Sequence, residues 1–321
     1  MRTLMKTAMA TVALAATVAS AQVKVDSQLP KYQKTTEVSG TIKSVGSDTM
    51  NNLMNYWGEE FAKFYPNVNT EVDGKGSSTA PPALTEGQST FGPMSRAMKS
   101  SEVEEFEKAF GYKPTQLRTA VDSLAIFVHK DCPLDSISLE QAKMVFSVEG
   151  PTMTWGDLGV TNPRYRNKII QLYGRNSASG TYGYFKEHAL GKTDYKPTVK
   201  EQPGSSAVVS ACATDPYAMG YSGVGYKTDD VKVLNISKRT GEEAFSATAD
   251  NAYSGKYPLA RFLYVYVNFD KSTGLEPLRA EFIKMIYSQA GQEAVVKDGY
   301  FPVSAIIARE DLKKVGITPL F

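Results

Sequence analysis

Residues 174–181 read GRNSASGT and connect a strand-like segment to a helix-like segment. Arg175 carries a fixed fork of N–H donors that fits two oxygens of one anion. Ser179 and Thr181 add hydroxyl groups, and Gly180 lets the backbone approach closely because it has no Cβ atom. The following helix would point free N–H groups and the positive end of its dipole at the same place. These features predict a site for a small tetrahedral oxyanion, although an ordinary Ser/Thr helix cap uses the same residue types.

Two other segments repeat the arrangement of strand, small-residue loop and helix. Strand-like runs at 41–45 and 68–72 end in loops at 46–50 and 74–79, and each loop leads into a helix. In open α/β sheets, ligands bind outside the carboxyl ends of strands, where helix N-termini converge. Three such loops that meet at one point would form a pocket of hydroxyl and amide groups.

The chain alternates short β-branched runs with amphipathic helical patterns. Further strands are expected at 90–94, 124–128, 168–173, 231–235 and 261–268, and further helices at 100–110, 138–147, 181–190, 204–212, 275–288 and 304–314. This alternation predicts an α/β fold with mostly parallel sheets that helices cover on both faces.

The N-terminus has the pattern of a secretory signal peptide. Arg2 and Lys6 precede a short apolar run, and Ala19-Ser20-Ala21 forms a small-residue cleavage site. The apolar run is too short to span a bilayer. We therefore expect residues 1–21 to be removed and the mature protein to be located outside the cytoplasm, with a loose polar leader over residues 22–39.

Charge and cysteine content exclude several kinds of site. Without Arg2 and Lys6, the chain has 34 basic and 34 acidic residues, so no broad basic surface for nucleic acid is expected. An anion site must therefore rely on local donors. Cys132 and Cys212 are the two cysteines, and in an exported protein such a pair can oxidise to one disulfide; the alternative is two buried thiols.

Catalytic motifs do not match. The segment around Gly74 lacks the spacing of a P-loop, and Gly220–Val224 fails the last position of a serine-hydrolase elbow. His129 and His188 are the two histidines, and no Cys/His cluster has the spacing of metal ligands. We expect no enzyme activity, no cofactor and no metal.

The three loops are accompanied by FGPMSR at 91–96, DPYAMGY at 215–221 and YPLAR at 257–261. As a set, these segments resemble the periplasmic phosphate-binding proteins of bacterial ABC-type phosphate transporters. The resemblance covers most of the mature chain. It implies a two-lobed, type II periplasmic-binding-protein fold, with lobe I formed by 40–120 and 263–321 and lobe II by 121–262.

The resemblance also implies which residues bind the anion. The implied phosphate ligands are Thr49, Met50, Ser77, Ser95, Arg175, Ser179, Gly180 and Thr181. Ser95 stands where many family members have an aspartate that accepts the phosphate proton. Asp48, Asp122 or another carboxylate is a candidate for that acceptor role, and the sequence does not choose between them.

The function implied is that of a monomeric binding protein. It captures inorganic phosphate between two lobes that close by a hinge and delivers it to the permease of an ABC transporter. The alternatives are a binding protein for another oxyanion or small anion, such as sulfate, molybdate or a phosphonate, a hydrolase acting on phosphate esters, and a secreted protein that keeps the fold without transport.

Overall fold

A computed structural model describes residues 23–321; the expected signal peptide at 1–21 lies outside the described residues. The strands are β1 Gly40–Val45, β2 Val68–Asp73, β3 Gly92–Met94, β4 Thr115–His129, β5 Ser136–Ser138, β6 Gln171–Arg175, β7 Lys200–Gln202, β8 Ala218–Gly223, β9 Val231–Val233, β10 Asn235–Ser237 and β11 Ala260–Val267. The α-helices are α1 Asn51–Ala62, α2 Ala80–Thr85, α3 Ser100–Phe110, α4 Leu139–Phe146, α5 Gly180–His188, α6 Ser205–Thr214, α7 Ala249–Tyr253, α8 Pro277–Ile286, α9 Gln289–Lys297 and α10 Ala305–Lys314. No helix within residues 23–321 is long and apolar enough to cross a membrane.

A seven-stranded sheet runs through the molecule in the order β3-β11-β4-β8-β6-β7, with β9 also paired to β4. The strand β4 is 15 residues long. Its first part pairs antiparallel with β11, and Leu124–Val128 pairs antiparallel with β8. The pairs β1–β2, β6–β7 and β6–β8 are parallel. All the antiparallel pairing of this sheet therefore involves β4 or β11.

The two halves have separate hydrophobic cores. The first core gathers side chains from α1, β11 and the three C-terminal helices, with Trp57, Phe61 and Phe282 fully buried. The second core contains Phe146, Trp155, Phe185 and Tyr221. Strands β4 and β11 contribute side chains to both cores, but the helices of each core are its own, so each half can keep its shape if the two move relative to each other.

The helix expected over 275–288 is α8, and a helix that was not predicted, α9, follows it directly. The first helix, α8, ends at Ile286, and Ser288 caps α9 by accepting a hydrogen bond from the amide of Gly291. A Cβ atom on Gly291 would lie 2.1 Å from the carbonyl oxygen of Met285. This close approach allows the sharp turn between the helices, which the hydrophobic pattern alone does not reveal.

The prediction of a loose leader was wrong. Leu29 and Tyr32 are buried in the first core. The Tyr32 hydroxyl donates to Glu281 Oε2 at 2.7 Å, and the Tyr65 hydroxyl donates to the same oxygen at 3.0 Å. The segment is polar in composition, so its two buried side chains were not recognised. The carboxylate of Glu281 needs hydrogen-bond donors, and Tyr32 of this segment supplies one.

The predicted disulfide is also absent, since Cys132 and Cys212 are both free and buried. Cys132 packs in the second core with Leu124 and Ile126, whereas Cys212 packs with Phe127 in a separate cluster. Successive residues of a strand point to opposite faces of the sheet. The two thiols therefore lie on opposite sides of β4 and its neighbours.

Candidate functional site

The three predicted loops meet at the boundary between the two halves. Thr49 in the first loop and Thr181 at the start of α5 have their Oγ1 atoms 2.9 Å apart. The second loop reaches the third because the amide of Ser78 donates to the carbonyl of Ala178 at 3.1 Å. A Cβ atom on Gly180 would lie 2.3 Å from Ser77 Oγ. Only glycine allows this approach between the two halves.

All eight predicted ligand residues lie in this region, which we call the cage. Seven of them have relative exposures between 0 and 3%: Thr49, Met50, Ser77, Ser95, Arg175, Ser179 and Thr181. Gly180 is buried as well. Such a concentration of buried polar groups costs free energy unless they bond to one another or to a guest.

Ser77 and Ser95 form one side of the cage. Their Oγ atoms are 3.2 Å apart, and the amide of Ser95 donates to Ser77 Oγ at 3.0 Å. Ser95 directly follows β3, so the end of that strand presents the hydroxyl to the cage. Gly180 faces this pair, since its Cβ would lie 2.6 Å from Ser95 Oγ.

The N-terminus of α5 forms the opposite side. Ser179 caps the helix, and its Oγ accepts hydrogen bonds from the amides of Thr181 and Tyr182 at 3.1 and 3.4 Å. A serine hydroxyl has one proton to donate in addition to its two acceptor sites. The cap therefore leaves the Ser179 O–H available as a donor.

Arg175 ends β6 and places a guanidinium in the cage wall. Its Nη1 donates to Ser205 Oγ at 2.7 Å, and its Nη2 lies 3.1 Å from Asp48 Oδ2. Its Nε atom is buried and has no hydrogen-bond partner within the part of the chain that the structure describes. Burial lowers the pKa of Arg175, while the charge of Asp48 acts to raise it. The group nevertheless stays charged, because arginine does not deprotonate in proteins.

Sequence analysis missed Ser205, the first residue of α6. Its amide and hydroxyl both donate to Asp48 Oδ2 at 2.8 Å. Asp48 thus links the first loop to the start of a helix in the other half and also pairs with Arg175. The signal was present, because 204–212 is predicted as a helix that follows Gly204, in the same arrangement as the other three loops.

Sequence analysis also missed a second arginine in the site, Arg261 on β11. Its Nη2 donates to Thr181 Oγ1 at 2.9 Å, and its Nη1 donates to the carbonyl of Ser95 at 2.8 Å. Its Nε and Nη2 donate to Asp122 Oδ2 at 3.0 and 2.8 Å. Burial raises the pKa of Asp122, and the charge of Arg261 opposes that shift. The sequence does contain a signal for this residue, because Arg261 lies within an apolar strand. A buried charge needs a partner, so its position indicates a buried polar site.

Two tyrosines hold the first loop from behind. The Tyr226 hydroxyl donates to the carbonyl of Asp48, and the Tyr300 hydroxyl donates to the carbonyl of Thr49, both at 2.8 Å. Burial raises the pKa of both tyrosines, so the hydroxyls stay protonated and remain donors. The loop is fixed in position by groups from both halves.

The cage has the chemistry of an anion receptor. It combines five hydroxyl side chains contributed by both halves with two guanidiniums and the N-terminus of a helix. The histidines lie elsewhere: His129 Nδ1 accepts from the amide of Asp131, and the His188 ring packs on Tyr184. A nucleophilic serine would need an adjacent base, and neither histidine supplies one. The site and the two cores define a two-lobed binding protein.

Comparison with known proteins agrees with this class. The model of the PBP superfamily domain matches residues 32–290. The phosphate-binding protein PstS of Pseudomonas aeruginosa is 50% identical over 305 residues, which cover 93% of this chain and 94% of that protein. This chain belongs to the PstS family of solute-binding proteins within the PBP superfamily. The expectation of a binding protein rather than an enzyme is therefore confirmed.

Solved structures confirm the predicted two-lobed, type II fold. A phosphate-bound substrate-binding protein of a putative phosphate ABC transporter from Clostridium perfringens has a TM-score of 0.69 at 23% identity, covering 82% of this chain and all of that one. An ABC-type phosphate transport receptor from Vibrio cholerae has a TM-score of 0.65 at 22% identity, with the same coverage. At these identities the likeness concerns the fold.

Proposed function

We propose that this protein captures inorganic phosphate between its two lobes in the periplasm and delivers it to the permease of an ABC transporter. The observation that carries the proposal is the contact of Thr49 with Thr181 and of Ser77 with Gly180 across the lobes. Donors from both lobes thus surround one buried point. The likeness to PstS supports phosphate as the anion.

The proposed ligand groups are those that the resemblance to the phosphate-binding proteins implies. Thr49 binds through its hydroxyl and amide, Met50 through its amide, and Arg175 through its guanidinium. The remaining donors are the hydroxyls of Ser77, Ser95, Ser179 and Thr181 and the amides of Gly180 and Thr181. A hydrogen bond to a charged group contributes about 1.5–3 kcal/mol, and a micromolar dissociation constant needs about 8 kcal/mol. Several such bonds are sufficient even after ordering costs.

Closure by a hinge follows from the course of the chain. We place the crossings between lobes near 120–124 on β4 and 261–263 on β11, so that lobe I comprises 40–120 and 263–321 and lobe II comprises 121–262. The two crossing strands are paired, and their register shifts between Leu263 and Tyr264. A small number of residues in these strands can absorb the change in backbone angles. Phosphate stabilises the closed form because only that form presents donors from both sides.

The proposal extends to the cell compartment and assembly. The signal peptide expected at 1–21 would direct export, and a monomer would present the closed lobes to the permease. Phosphate held by hydrogen bonds and ion pairs, with no covalent step, can be released once the permease favours the open form.

Arg175→Lys tests the proposed function. Lysine keeps the charge but loses the planar fork, so we expect phosphate affinity to fall by about 100-fold or more. Arg118→Lys is the matched control, because Arg118 forms a comparable ion pair with the buried Asp311 and makes no contact with the cage. Isothermal titration of phosphate into both variants and the unaltered protein measures the effect. Equal affinity in all three proteins would exclude Arg175 as a ligand, and no binding by the unaltered protein would refute the function.

A further inference from the structure

A segment of lobe II outside the cage lies directly against lobe I. It comprises residues 223–226, which are the end of β8 and the single helical turn that follows, and we call it the latch. Sequence analysis considered this part of the chain only for a serine-hydrolase motif at 220–224, which fails at its last position. In the structure the latch lies between the first loop and the turn at 298–300 that follows α9. None of its residues is a proposed ligand of the anion.

The latch contacts the turn at 298–300 through glycine positions. A Cβ atom on Gly225 would lie 2.4 Å from the carbonyl oxygen of Asp298 and 2.9 Å from Tyr300 Cζ. A Cβ atom on Gly223 would lie 3.0 Å from the Tyr300 hydroxyl. The φ angle of Gly225 is not positive, so its own backbone conformation would accept alanine. Glycine is therefore required at position 225 by the contact between the lobes.

Tyr226 adds a hydrogen bond across the same boundary. Its hydroxyl, in lobe II, donates to the carbonyl of Asp48, in lobe I, at 2.8 Å. This bond holds the backbone immediately before Thr49, which is proposed to bind the anion through its hydroxyl and amide. Tyr226 thus acts on the anion through the position of the first loop.

The latch is also attached to one of the crossing strands. The amide of Val224 donates to Asp122 Oδ1 on β4 at 3.1 Å, next to the place proposed for the hinge. The other end of the latch is nearer to solvent, because Gly225 and Tyr226 are half-buried and Gly299 is exposed. Water can therefore replace these contacts when the lobes separate. A contact that exists only in the closed form stabilises that form over the open one.

We propose that the latch holds the lobes closed and thereby sets how slowly bound phosphate leaves, with Tyr226 as a positioning residue. This inference rests on the proposed function and adds to it a segment that acts without touching the anion. Contacts that form after the anion has entered slow its dissociation and hardly change the rate of its capture. Loss of the latch should therefore appear in the dissociation rate.

Tyr226→Phe tests the hydrogen bond of the latch. The variant keeps the ring and loses the hydroxyl, so we expect phosphate to dissociate about 5-fold faster, the effect of one lost neutral hydrogen bond. The association rate should stay the same, and the dissociation constant should rise by the same factor as the dissociation rate. Release of radiolabelled phosphate during a chase with unlabelled phosphate measures the dissociation rate, and isothermal titration measures the dissociation constant.

Tyr112→Phe is the matched control. The Tyr112 hydroxyl donates to Asn268 Oδ1 at 2.8 Å, so a neutral hydrogen bond of the same length is lost, but both residues lie in lobe I. We expect this variant to release phosphate at the rate of the unaltered protein. An equal acceleration in both tyrosine variants would show that lost stability in general speeds release, and it would overturn the proposal.

Gly225→Ala tests the backbone contact. The added methyl group would collide with the carbonyl of Asp298 when the lobes close, so we expect release to be faster by about 30-fold or more. Gly183→Ala is its control, because a Cβ atom there would make an ordinary contact of 3.5 Å with Arg96 Cδ, and its release rate should be unchanged. Circular dichroism confirms folding. If Gly225→Ala does not fold, the result for Tyr226→Phe decides alone.

The outcomes separate this inference from the proposed function. Phosphate binding by the unaltered protein, together with unchanged release from Tyr226→Phe, would refute the latch and leave phosphate capture intact. Absence of phosphate binding by the unaltered protein would refute the function itself.

Discussion

At the scale of single residues, Gly180 is a position where the two halves approach each other closely. A Cβ atom there would lie 2.3 Å from Ser77 Oγ and 2.6 Å from Ser95 Oγ. Gly180→Ala should therefore prevent the cage from closing and reduce phosphate affinity by about 100-fold or more, while the rest of the chain folds normally. Isothermal titration measures the affinity, and circular dichroism measures the fold.

Gly183→Ala is the matched control for Gly180→Ala. It lies on the same helix, and its Cβ would make an ordinary contact of 3.5 Å with Arg96 Cδ. We expect unchanged affinity in this variant. A similar loss in both variants would show that alanine perturbs α5 in general and that the approach at Gly180 is not special.

Sequence reasoning found cage residues that lie in one local pattern. Thr49, Ser77 and Thr181 each follow a strand and begin a helix, so their roles were readable from neighbouring residues. Arg261 lies within a strand and reaches the cage only because β11 runs beside β4. Asp48 was noted as a candidate acceptor for the phosphate proton. In the structure its Oδ2 atom pairs with Arg175 and accepts a hydrogen bond from Ser205. Contacts between distant segments decide these cases.

At the scale of elements, the N-terminal leader is the clearest departure from expectation. Glu281 connects it to the first core. Burial acts to raise the pKa of Glu281, but hydrogen bonds from Lys284, Thr35, Tyr32 and Tyr65 outweigh it and lower the pKa to about 2. The ionised carboxylate is thus part of the folded structure, and it stabilises the docked leader.

Tyr32→Phe tests this docking. The variant keeps the ring, which packs on Phe64 with centroids 4.8 Å apart, and loses the hydroxyl that donates to Glu281 Oε2 at 2.7 Å. We expect the free energy of unfolding at neutral pH to fall by about 1.5–3 kcal/mol, the value of a hydrogen bond to a charged group. Urea denaturation measures the change.

The pH dependence of that loss provides a second check. The pKa of Glu281 is lower in the folded protein than its ordinary value of 4.5. Its contribution to stability is therefore present above pH 4.5 and disappears as the pH falls toward 2. The cost of Tyr32→Phe should shrink over the same range. Tyr56→Phe is the control, because no hydrogen bond of the Tyr56 hydroxyl is found within residues 23–321 and Lys297 Nζ lies over the ring, which the variant keeps. An equal loss of unfolding free energy in Tyr56→Phe would contradict the account.

The elements themselves were largely predictable, and the exceptions have physical reasons. Strong periodicity located α3, α4 and α10, each to within a few residues. The strand β8, which is entirely buried, contains two glycines and was missed, because glycine is unfavourable in strands. Close packing at Gly220, whose Cβ would lie 2.8 Å from Val208, explains why glycine stands there.

At the scale of the whole molecule, Asp298 lies where the two halves touch. A Cβ atom on Gly225 would lie 2.4 Å from the carbonyl oxygen of Asp298. Asp298 Oδ2 is buried and has no hydrogen-bond partner within residues 23–321. Burial, reinforced by the charge of Asp122, raises the pKa of this carboxyl to about 7. A hydrogen bond from Asn52 and the charge of Lys297 act in the opposite direction.

This raised pKa makes stability depend on pH. Below the unfolded value of 3.8 the group is protonated in both states. Between pH 3.8 and about 7 the unfolded chain has lost this proton while the folded protein keeps it, so stability falls as the pH rises over that range and the loss is complete above about 7. Asp298→Asn should remove that fall and raise the melting temperature at pH 8 by roughly 2–4 °C more than at pH 4. Calorimetry at the two values measures it, and a difference that is the same at both would refute the assignment.

The claim on which the whole account depends is that one anion is held simultaneously by both halves. The most direct measurement is a crystal structure of the mature protein with inorganic phosphate. The account predicts a phosphate within hydrogen-bond distance of Thr49 and Ser77 from one half and of Arg175 and Thr181 from the other. Phosphate bound to one half alone, or at a surface away from these four residues, would contradict it.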